Sequence, residues 1–151
     1  MTTIVYTNGV LVTDSQISSN SIIAGTSYKK IHQLNNDSYV ACSGSSYFVE
    51  DFVNWLNGGE KPVFDNDDND SGFNALVIDK DGNAFEYNKQ LRRKPAEIPY
   101  CDGSGFQLAY AALDCGKNAI EAVEIACKRD IYSSFPVQSV VINEQKNGNS
   151  A

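Results

Sequence analysis

Two short segments near the start of the chain, residues 3–7 and 10–13, are rich in β-branched and aromatic side chains. Asn8-Gly9 separates them, and this dipeptide readily takes the two positive φ angles of a type I′ turn. The pattern predicts a β-hairpin that begins at the third residue of the sequence. Similar short patterns predict further strands at 21–24, 30–33, 38–43, 74–79, 83–87 and 137–143, the fourth and fifth joined by Asp81-Gly82 as a second hairpin.

Apolar residues recur at helical spacing in three later segments. Phe48, Phe52, Trp55 and Leu56 form one stripe, which predicts a helix over 46–56 that ends at Asn57-Gly58-Gly59. A second helix is predicted between Gly105 and Gly116, and a third over 118–129. Their expected inner faces are Leu108, Ala111, Ala112 and Cys115 in the second, and Ala119, Ala122, Val123 and Ala126 in the third.

The order of these elements favours an α+β fold. The predicted order is strands, a helix, more strands, two helices and a final strand. This order lacks the strict alternation of strands and helices in a doubly wound sheet, but it suits sheets covered by helices. With 151 residues, 42% of them hydrophobic, the chain is expected to form a single domain over 1–151, with 144–151 as a frayed tail.

Charge and composition exclude several classes of function. Twelve Lys and Arg against nineteen Asp and Glu give a net charge of −7, which argues against nucleic-acid and anionic-membrane partners. The one histidine, His32, is too few for a histidine metal cluster, and the four cysteines include no C-x-x-C pair. We therefore expect no metal and no cofactor.

The start of the chain resembles neither a secretory signal nor a membrane anchor. It lacks a basic segment followed by a long apolar one, and no apolar run is long enough to span a bilayer. We therefore expect a cytoplasmic protein whose cysteines are reduced.

Thr2 is the first candidate for chemistry. Methionine ahead of a small residue is normally removed, and Thr2 would then carry a hydroxyl and a free α-amine. An α-amine has a pKa of about 7.7–8.0 and can act as the base for its own residue's hydroxyl. Many chains begin Met-Thr, so an ordinary N-terminus is the alternative that the residue alone leaves open.

Other motifs add to this one. The segment TTIVYTNGVLVTDSQ, then Lys29-Lys30-Ile31, then Cys42-Ser43-Gly44-Ser45 resemble the N-terminal half of a proteasome β-subunit, above all the HslV-type bacterial peptidase. Gly103-Ser104-Gly105 and the segment RDIYS at 129–133 resemble two more motifs of that family, in the same order. The resemblance covers nearly the whole chain. It implies the four-layer αββα sandwich of N-terminal-nucleophile hydrolases.

The resemblance also implies a role for individual residues. Thr2 would be the nucleophile, Lys30 would lower the pKa of its amine and hydroxyl, and Asp14 would hold Lys30. The backbone N–H of Gly44 would form the oxyanion hole. The hydrogen-bond network around the amine would be completed by Ser104, Asp130 and Ser133, and the substrate pocket would be lined by Cys42 and Ser46.

Each assignment has an ordinary structural alternative. Asp14 and Lys30 could be a surface ion pair worth about 0–1 kcal/mol. Gly103 and Gly105 could shape a turn, Asp130 and Ser133 could cap a helix, and Cys42 could be core. His32 is predicted as surface or pocket wall, with neither preferred.

By the resemblance, the chain is a threonine-type endopeptidase that cleaves peptides or unfolded proteins within a homo-oligomeric ring, once Met1 is removed. The resemblance leaves open whether an unfoldase ATPase supplies the substrate. A silent ring scaffold and a hydrolase of small amides are the alternatives. The chain is shorter than typical members, and the missing residues fall between Leu56 and Asn74, where partners commonly dock.

Two motifs invite other interpretations. Asp67-x-Asn69-x-Ser71-Gly72 matches the start of a calcium loop, but its twelfth position is Ile78 rather than Glu, so we expect no dedicated calcium site. The basic cluster 92–94 is too small, in a chain of net charge −7, to indicate nucleic-acid binding.

Overall fold

The computed structural model describes residues 2–64 and 72–142, and in these two ranges it has eleven strands and three helices. The calcium-like motif at 67–71 and the tail at 144–151 lie outside the described residues. The strands are β1 (Thr3–Thr7), β2 (Val10–Thr13), β3 (Ile17–Ser19), β4 (Ile22–Gly25), β5 (Ile31–Gln33), β6 (Tyr39–Ser43), β7 (Asn74–Ile78), β8 (Ala84–Tyr87), β9 (Arg93–Pro95), β10 (Tyr100–Gly103) and β11 (Gln138–Val141). The helices are α1 (Ser46–Leu56), α2 (Phe106–Asp114) and α3 (Ala119–Arg129).

The strands form two main antiparallel sheets and a separate β3–β4 hairpin. The first sheet has the order β10-β1-β2-β11, and the second has the order β5-β6-β7-β8-β9. The predicted N-terminal hairpin is confirmed, with Asn8 and Gly9 at φ angles of 53° and 75° in the turn. β1 is therefore a central strand, and residue 2 enters the sheet between β2 and β10.

Three buried clusters define four layers. The first sheet packs on α2 and α3 through Val5, Val12 and the alanines of both helices. Its other face packs on the second sheet through residues such as Ile4, Leu11 and Leu76. The second sheet in turn packs on α1 through Val40, Phe52 and their neighbours. The α+β, four-layer αββα sandwich that the resemblance implied is confirmed.

The helix boundaries follow the predictions, and one predicted inner face is wrong. α1 spans the predicted residues, and Asn118 caps α3 in a reciprocal pair of hydrogen bonds with Glu121. In α2, however, Ala111 and Cys115 are exposed, and Ala109 and Ala112 are buried. Small residues occupy both sides of this helix, so composition alone did not indicate which side meets the sheet.

Three strands were not predicted. β3 and β9 are three residues long, and β10 lies between a pair of prolines and a glycine-rich turn, where the local pattern indicates a loop. β10 matters most, because it pairs with β1 in the register Thr3↔Gly103 and leads directly into α2. It therefore brings residues 102–105 to the start of the chain.

None of the three helices in the described ranges is both long and apolar enough to cross a membrane.

Candidate active site

The site is built around Thr2, which lies directly before β1 and is 5% exposed. β10 passes so close that a Cβ added to Gly103 would lie 1.8 Å from the Thr2 carbonyl oxygen. Gly103 also has a φ of +92°, which side-chain-bearing residues rarely adopt. Glycine at 103 is thus required for the close approach of β10 to the backbone of Thr2. Gly103 therefore does more than shape a turn, which was its ordinary structural alternative.

A buried ion pair lies beneath the Thr2 side chain. Lys30 Nζ donates hydrogen bonds to Thr2 Oγ1 at 3.1 Å and to Asp14 Oδ1 at 2.8 Å. The side chains of Lys30 and Asp14 are 4% and 0% exposed, so this is no surface ion pair. The three residues belong to separate parts of the first sheet and the loop before β5, and the fold brings them together.

Backbone groups hold the Asp14 carboxylate in place. Oδ1 accepts a hydrogen bond from the Thr3 N–H at 3.1 Å, and Oδ2 accepts from the N–H groups of Gln16 at 3.0 Å and Ser134 at 3.1 Å. With the Lys30 ammonium, four donors among the described residues contact the carboxylate. This arrangement stabilises a buried negative charge, which in turn orients Lys30.

Burial and Asp14 act on Lys30 in opposite directions. Removal from water lowers the pKa of Lys30, while the charge of Asp14 and its hydrogen bond raise it; the net effect is a lower pKa than usual. A cation 3.1 Å from Thr2 Oγ1 favours the deprotonated form of that hydroxyl. The pair therefore holds a positive charge against the Thr2 hydroxyl.

A second polar cluster surrounds the Asp130 carboxylate at the end of α3. Ser104 Oγ donates to Asp130 Oδ2 at 2.6 Å, and Ser133 Oγ donates to the same oxygen at 2.5 Å. Thr3 Oγ1 lies 2.7 Å from Ser133 Oγ, and since the Ser133 proton points to Asp130, Thr3 is the donor of that bond. The Ser104 hydroxyl also lies 3.3 Å from the Thr2 carbonyl oxygen. The cluster thus reaches the backbone of residue 2.

Gly105 allows this cluster to close. A Cβ at this position would lie 2.1 Å from Thr3 Oγ1 and 3.2 Å from Asp130 Oδ2. Thr3 and the close-approach role of both glycines were missed by the sequence analysis. In the sequence, this close approach appears only as two glycines that flank a serine, and ordinary turns have the same pattern.

Gly44 lies between two cavities that meet at Thr2. Its φ is +125°, and a Cβ there would lie 2.7 Å from the Gly72 carbonyl oxygen. The position therefore requires glycine, both for its φ angle and for the approach of the Gly72 carbonyl.

The first cavity has a volume of about 300 Å³ and contains both predicted substrate-binding residues, Cys42 and Ser46. Burial raises the pKa of the Cys42 thiol, so this wall is neutral. His32, for which the sequence left surface and pocket wall open, lines this cavity. Its Nε2 is buried and makes no hydrogen bond within the described residues.

The second cavity, of about 240 Å³, shares Thr2 and Gly44 with the first and was not predicted. Its lining includes several polar side chains, and Ser43 Oγ donates to Asp102 Oδ2 there at 3.1 Å. Asp102 lies in β10, the strand that the sequence analysis missed, so nothing in the pattern pointed to it.

Gln138 of β11 was also missed. Its Oε1 accepts the Lys30 N–H at 2.9 Å, and its Nε2 donates to the Tyr28 carbonyl at 2.6 Å and to Ser15 Oγ at 2.9 Å. One amide thus joins the segment carrying Lys30 to the segment that follows Asp14. A glutamine within a strand carries no sequence signal for such a role.

No protein-family model matches this chain, and no curated protein matches it in sequence. Solved structures do match. The protein BPH of Thiobacillus denitrificans is 17% identical, with a TM-score of 0.69 over 94% of this chain and 98% of that one. BPH in complex with epoxomicin is 18% identical, with a TM-score of 0.66 over the same shares of the two chains. Eukaryotic HslV from Trypanosoma brucei is 20% identical, with a TM-score of 0.64 over 92% of this chain and 98% of that one.

These likenesses span almost the full length of both chains in each pair. At 17–20% identity they establish the shared fold. The chain therefore has the α+β fold of the HslV and BPH structures, with Thr2, Asp14 and Lys30 in hydrogen-bonding contact within it.

Proposed function

We propose that this chain is a threonine-type N-terminal-nucleophile peptidase, active once Met1 is removed. The observation that carries the proposal is the buried Lys30 ammonium, which contacts Thr2 Oγ1 at 3.1 Å and Asp14 at 2.8 Å. A buried cation against a threonine hydroxyl has a clear chemical use, because it lowers the pKa of that hydroxyl.

In the proposed reaction, the free α-amine of Thr2 accepts the proton of the Thr2 hydroxyl. The hydroxyl oxygen then forms a bond to the substrate carbonyl carbon, and the backbone N–H of Gly44 donates to the resulting oxyanion. The C–N bond breaks, and the leaving amine takes the proton from the α-amine. An acyl ester on Thr2 remains.

Water completes the cycle. The α-amine, now neutral, accepts a proton from the attacking water, the ester C–O bond breaks, and Thr2 recovers its hydroxyl proton. In this scheme Asp130, with its donors Ser104 and Ser133, orients the amine, and Asp14 positions Lys30. Cys42 and Ser46 contact the substrate.

Intact-mass measurement with epoxomicin tests the proposal. The solved complex of BPH with epoxomicin makes this compound a suitable probe. We expect the purified chain to lack Met1 and to gain the mass of one epoxomicin molecule, located on Thr2 by peptide mapping. Thr2→Ala is the matched control, since methionine removal is also expected before alanine, and it should gain no mass.

Two results would contradict the proposal: retention of Met1, or a processed chain that forms no adduct.

Two other results would favour the alternative functions. A processed chain that forms oligomers without turnover would favour the silent ring scaffold, and cleavage of acyl-amino acids by a monomer or dimer would favour the small-amide hydrolase. Light scattering after size exclusion measures the assembly, which we propose is a homo-oligomeric ring acting on peptides or unfolded proteins. Stimulation by an unfoldase ATPase is a separate assay.

A further inference from the structure

Resting on the proposed function, we infer that the second cavity binds a positively charged group of the substrate, a lysine or arginine side chain close to the scissile bond, and that Asp102 recognises this group. Three features carry the inference: the opening of the cavity beside Thr2, the charge of its lining, and the hydrogen bonds that hold the Asp102 carboxylate.

The second cavity reaches the same nucleophile as the first, because Thr2 and Gly44 belong to the walls of both. Consecutive Cα atoms of a peptide lie only about 3.8 Å apart. A peptide whose carbonyl carbon contacts Thr2 Oγ1 therefore brings its neighbouring residues to the two cavities. At about 240 Å³, the second cavity has room for the end of a long side chain, which either side of the scissile bond can supply.

Asp102 gives the second cavity a negative charge. It is the one charged residue among the described residues of the lining, it is partly exposed, and it forms no ion pair with any described residue. The lining of the first cavity differs, since it contains the cation Lys30 and no acid in the described ranges. The two cavities that meet at Thr2 thus differ in charge, and the second favours a cation.

Neutral donors hold the Asp102 carboxylate in place without cancelling its charge. Ser43 Oγ donates to Oδ2 at 3.1 Å, and the buried Tyr100 hydroxyl hydrogen-bonds to the same carboxylate. A carboxylate has about four acceptor positions, so these two donors leave capacity for another. An ammonium or guanidinium group supplies a donor together with the opposite charge.

Two further residues of the wall suit a cationic side chain. Phe106, which is 40% exposed, adds an aromatic ring, and cations bind favourably over such rings. Asn74 adds a side-chain amide, whose oxygen accepts hydrogen bonds. A glutamate side chain in this cavity would instead meet a like charge at Asp102.

Internally quenched peptides test the inference when they carry Lys, norleucine or Glu at each of the two positions on either side of the scissile bond. Norleucine keeps the carbon chain of Lys without its ammonium, and mass spectrometry of the products locates each cleavage. At one of these positions, we expect kcat/KM for Lys to exceed that for norleucine by about five- to tenfold, the worth of one charge-assisted hydrogen bond that water still reaches. Glu there should be cleaved more slowly than norleucine, because its charge repels Asp102.

Asp102→Asn retains the size of the side chain but removes the charge, and it should reduce the Lys-to-norleucine ratio to about one. Glu97→Gln is the matched control, because Glu97 is exposed, lies outside the described lining of the cavity and carries the same unit of charge. This control should leave the ratio unchanged. A wild-type ratio near one at all four positions, a ratio that Asp102→Asn leaves unchanged, or an equal loss in Glu97→Gln would overturn the inference.

The salt dependence of the wild-type chain covers the case in which Asp102→Asn fails to fold. Because salt screens a partly exposed ion pair, raising NaCl from about 50 to about 500 mM should lower the Lys-to-norleucine ratio about two- to threefold. The norleucine-to-alanine ratio at the same position should stay constant. A Lys preference that salt leaves unchanged would overturn the inference.

The reaction with epoxomicin separates a failure of this inference from a failure of the proposed function. A chain that forms the adduct on Thr2 and cleaves peptides without a preference for Lys contradicts the role of Asp102 alone. A chain that neither forms the adduct nor cleaves any of the peptides contradicts the proposed function.

Discussion

Asp14 and Lys30 are charged residues whose side chains are 0% and 4% exposed. Their burial changes how much the ion pair contributes to the stability of the fold. At the surface such a pair contributes about 0–1 kcal/mol. Buried, neither charge can lose its partner without a large cost, because the remaining charge has no water to solvate it. The pair is thus a constraint on the fold as well as a candidate part of the site.

A double-mutant cycle measures this constraint. Asp14→Asn alone should lower the free energy of unfolding by about 3–5 kcal/mol, because the buried Lys30 ammonium loses the carboxylate to which it is hydrogen-bonded. In a Lys30→Met background the same change should cost about 1–3 kcal/mol less. Urea denaturation of the four proteins gives the coupling, and strictly additive effects would contradict the ion-pair account.

An element follows its local pattern where a turn or a stripe signals it, and depends on its neighbours where no such signal exists. The N-terminal hairpin and α1 agree with the predictions because Asn8-Gly9 and the Phe48–Phe52–Leu56 stripe act within a few residues of chain. β10 has four residues after two prolines and exists because β1 offers it a partner. Its pairing with β1, rather than its composition, defines it.

The β1–β10 contact predicts different costs for two alanine substitutions. Gly103 and Gly116 have similar φ angles of +92° and +88°, but a Cβ at 103 would meet Thr2 O at 1.8 Å, whereas a Cβ at 116 would meet nothing within 4 Å. Gly116→Ala should cost about 1–2 kcal/mol for backbone strain alone. Gly103→Ala should cost a further 1–3 kcal/mol or so, because β10 must move away from β1.

Thermal or urea denaturation of the two variants provides the comparison, and Gly116→Ala serves as the control for φ strain. Equal destabilisation would mean that the close approach at Thr2 contributes nothing to stability. An epoxomicin reaction rate measured on Gly103→Ala then reports whether the displacement also disturbs the site.

On the scale of the whole molecule, the four layers decide which cysteines can react. Cys42 is buried between the second sheet and α1, while Cys101 and Cys127 belong to the layer between the first sheet and its two helices. Burial raises the pKa of Cys101 and of Cys127 to about 12, and it raises the pKa of Cys42 as well. Cys115 is exposed after α2.

Alkylation with iodoacetamide at pH 8 should therefore modify Cys115 first. The thiolate is the reactive form, and a raised pKa leaves very little of it at this pH in the other three thiols. Peptide mass mapping measures the order, and the same reaction in guanidinium chloride, where all four cysteines should react, is the control. Modification of Cys42 in the native protein at the rate of Cys115 would contradict the layered burial.

The sequence by itself determined the hairpin and the helix boundaries, because turn chemistry and periodicity act over a few neighbouring residues. It made Thr2 a candidate through its own hydroxyl and amine, whereas Asp14 and Lys30 became candidates only through the resemblance of the motifs that contain them. Only the tertiary structure decided which groups meet: Gly103 against the Thr2 carbonyl, Thr3 against Ser133, and His32 in the wall of a cavity. The first two of these contacts join residues about a hundred or more positions apart, and the cavity gathers its wall from several strands and a helix. Their distances follow from sheet register and layer packing, which no local pattern contains.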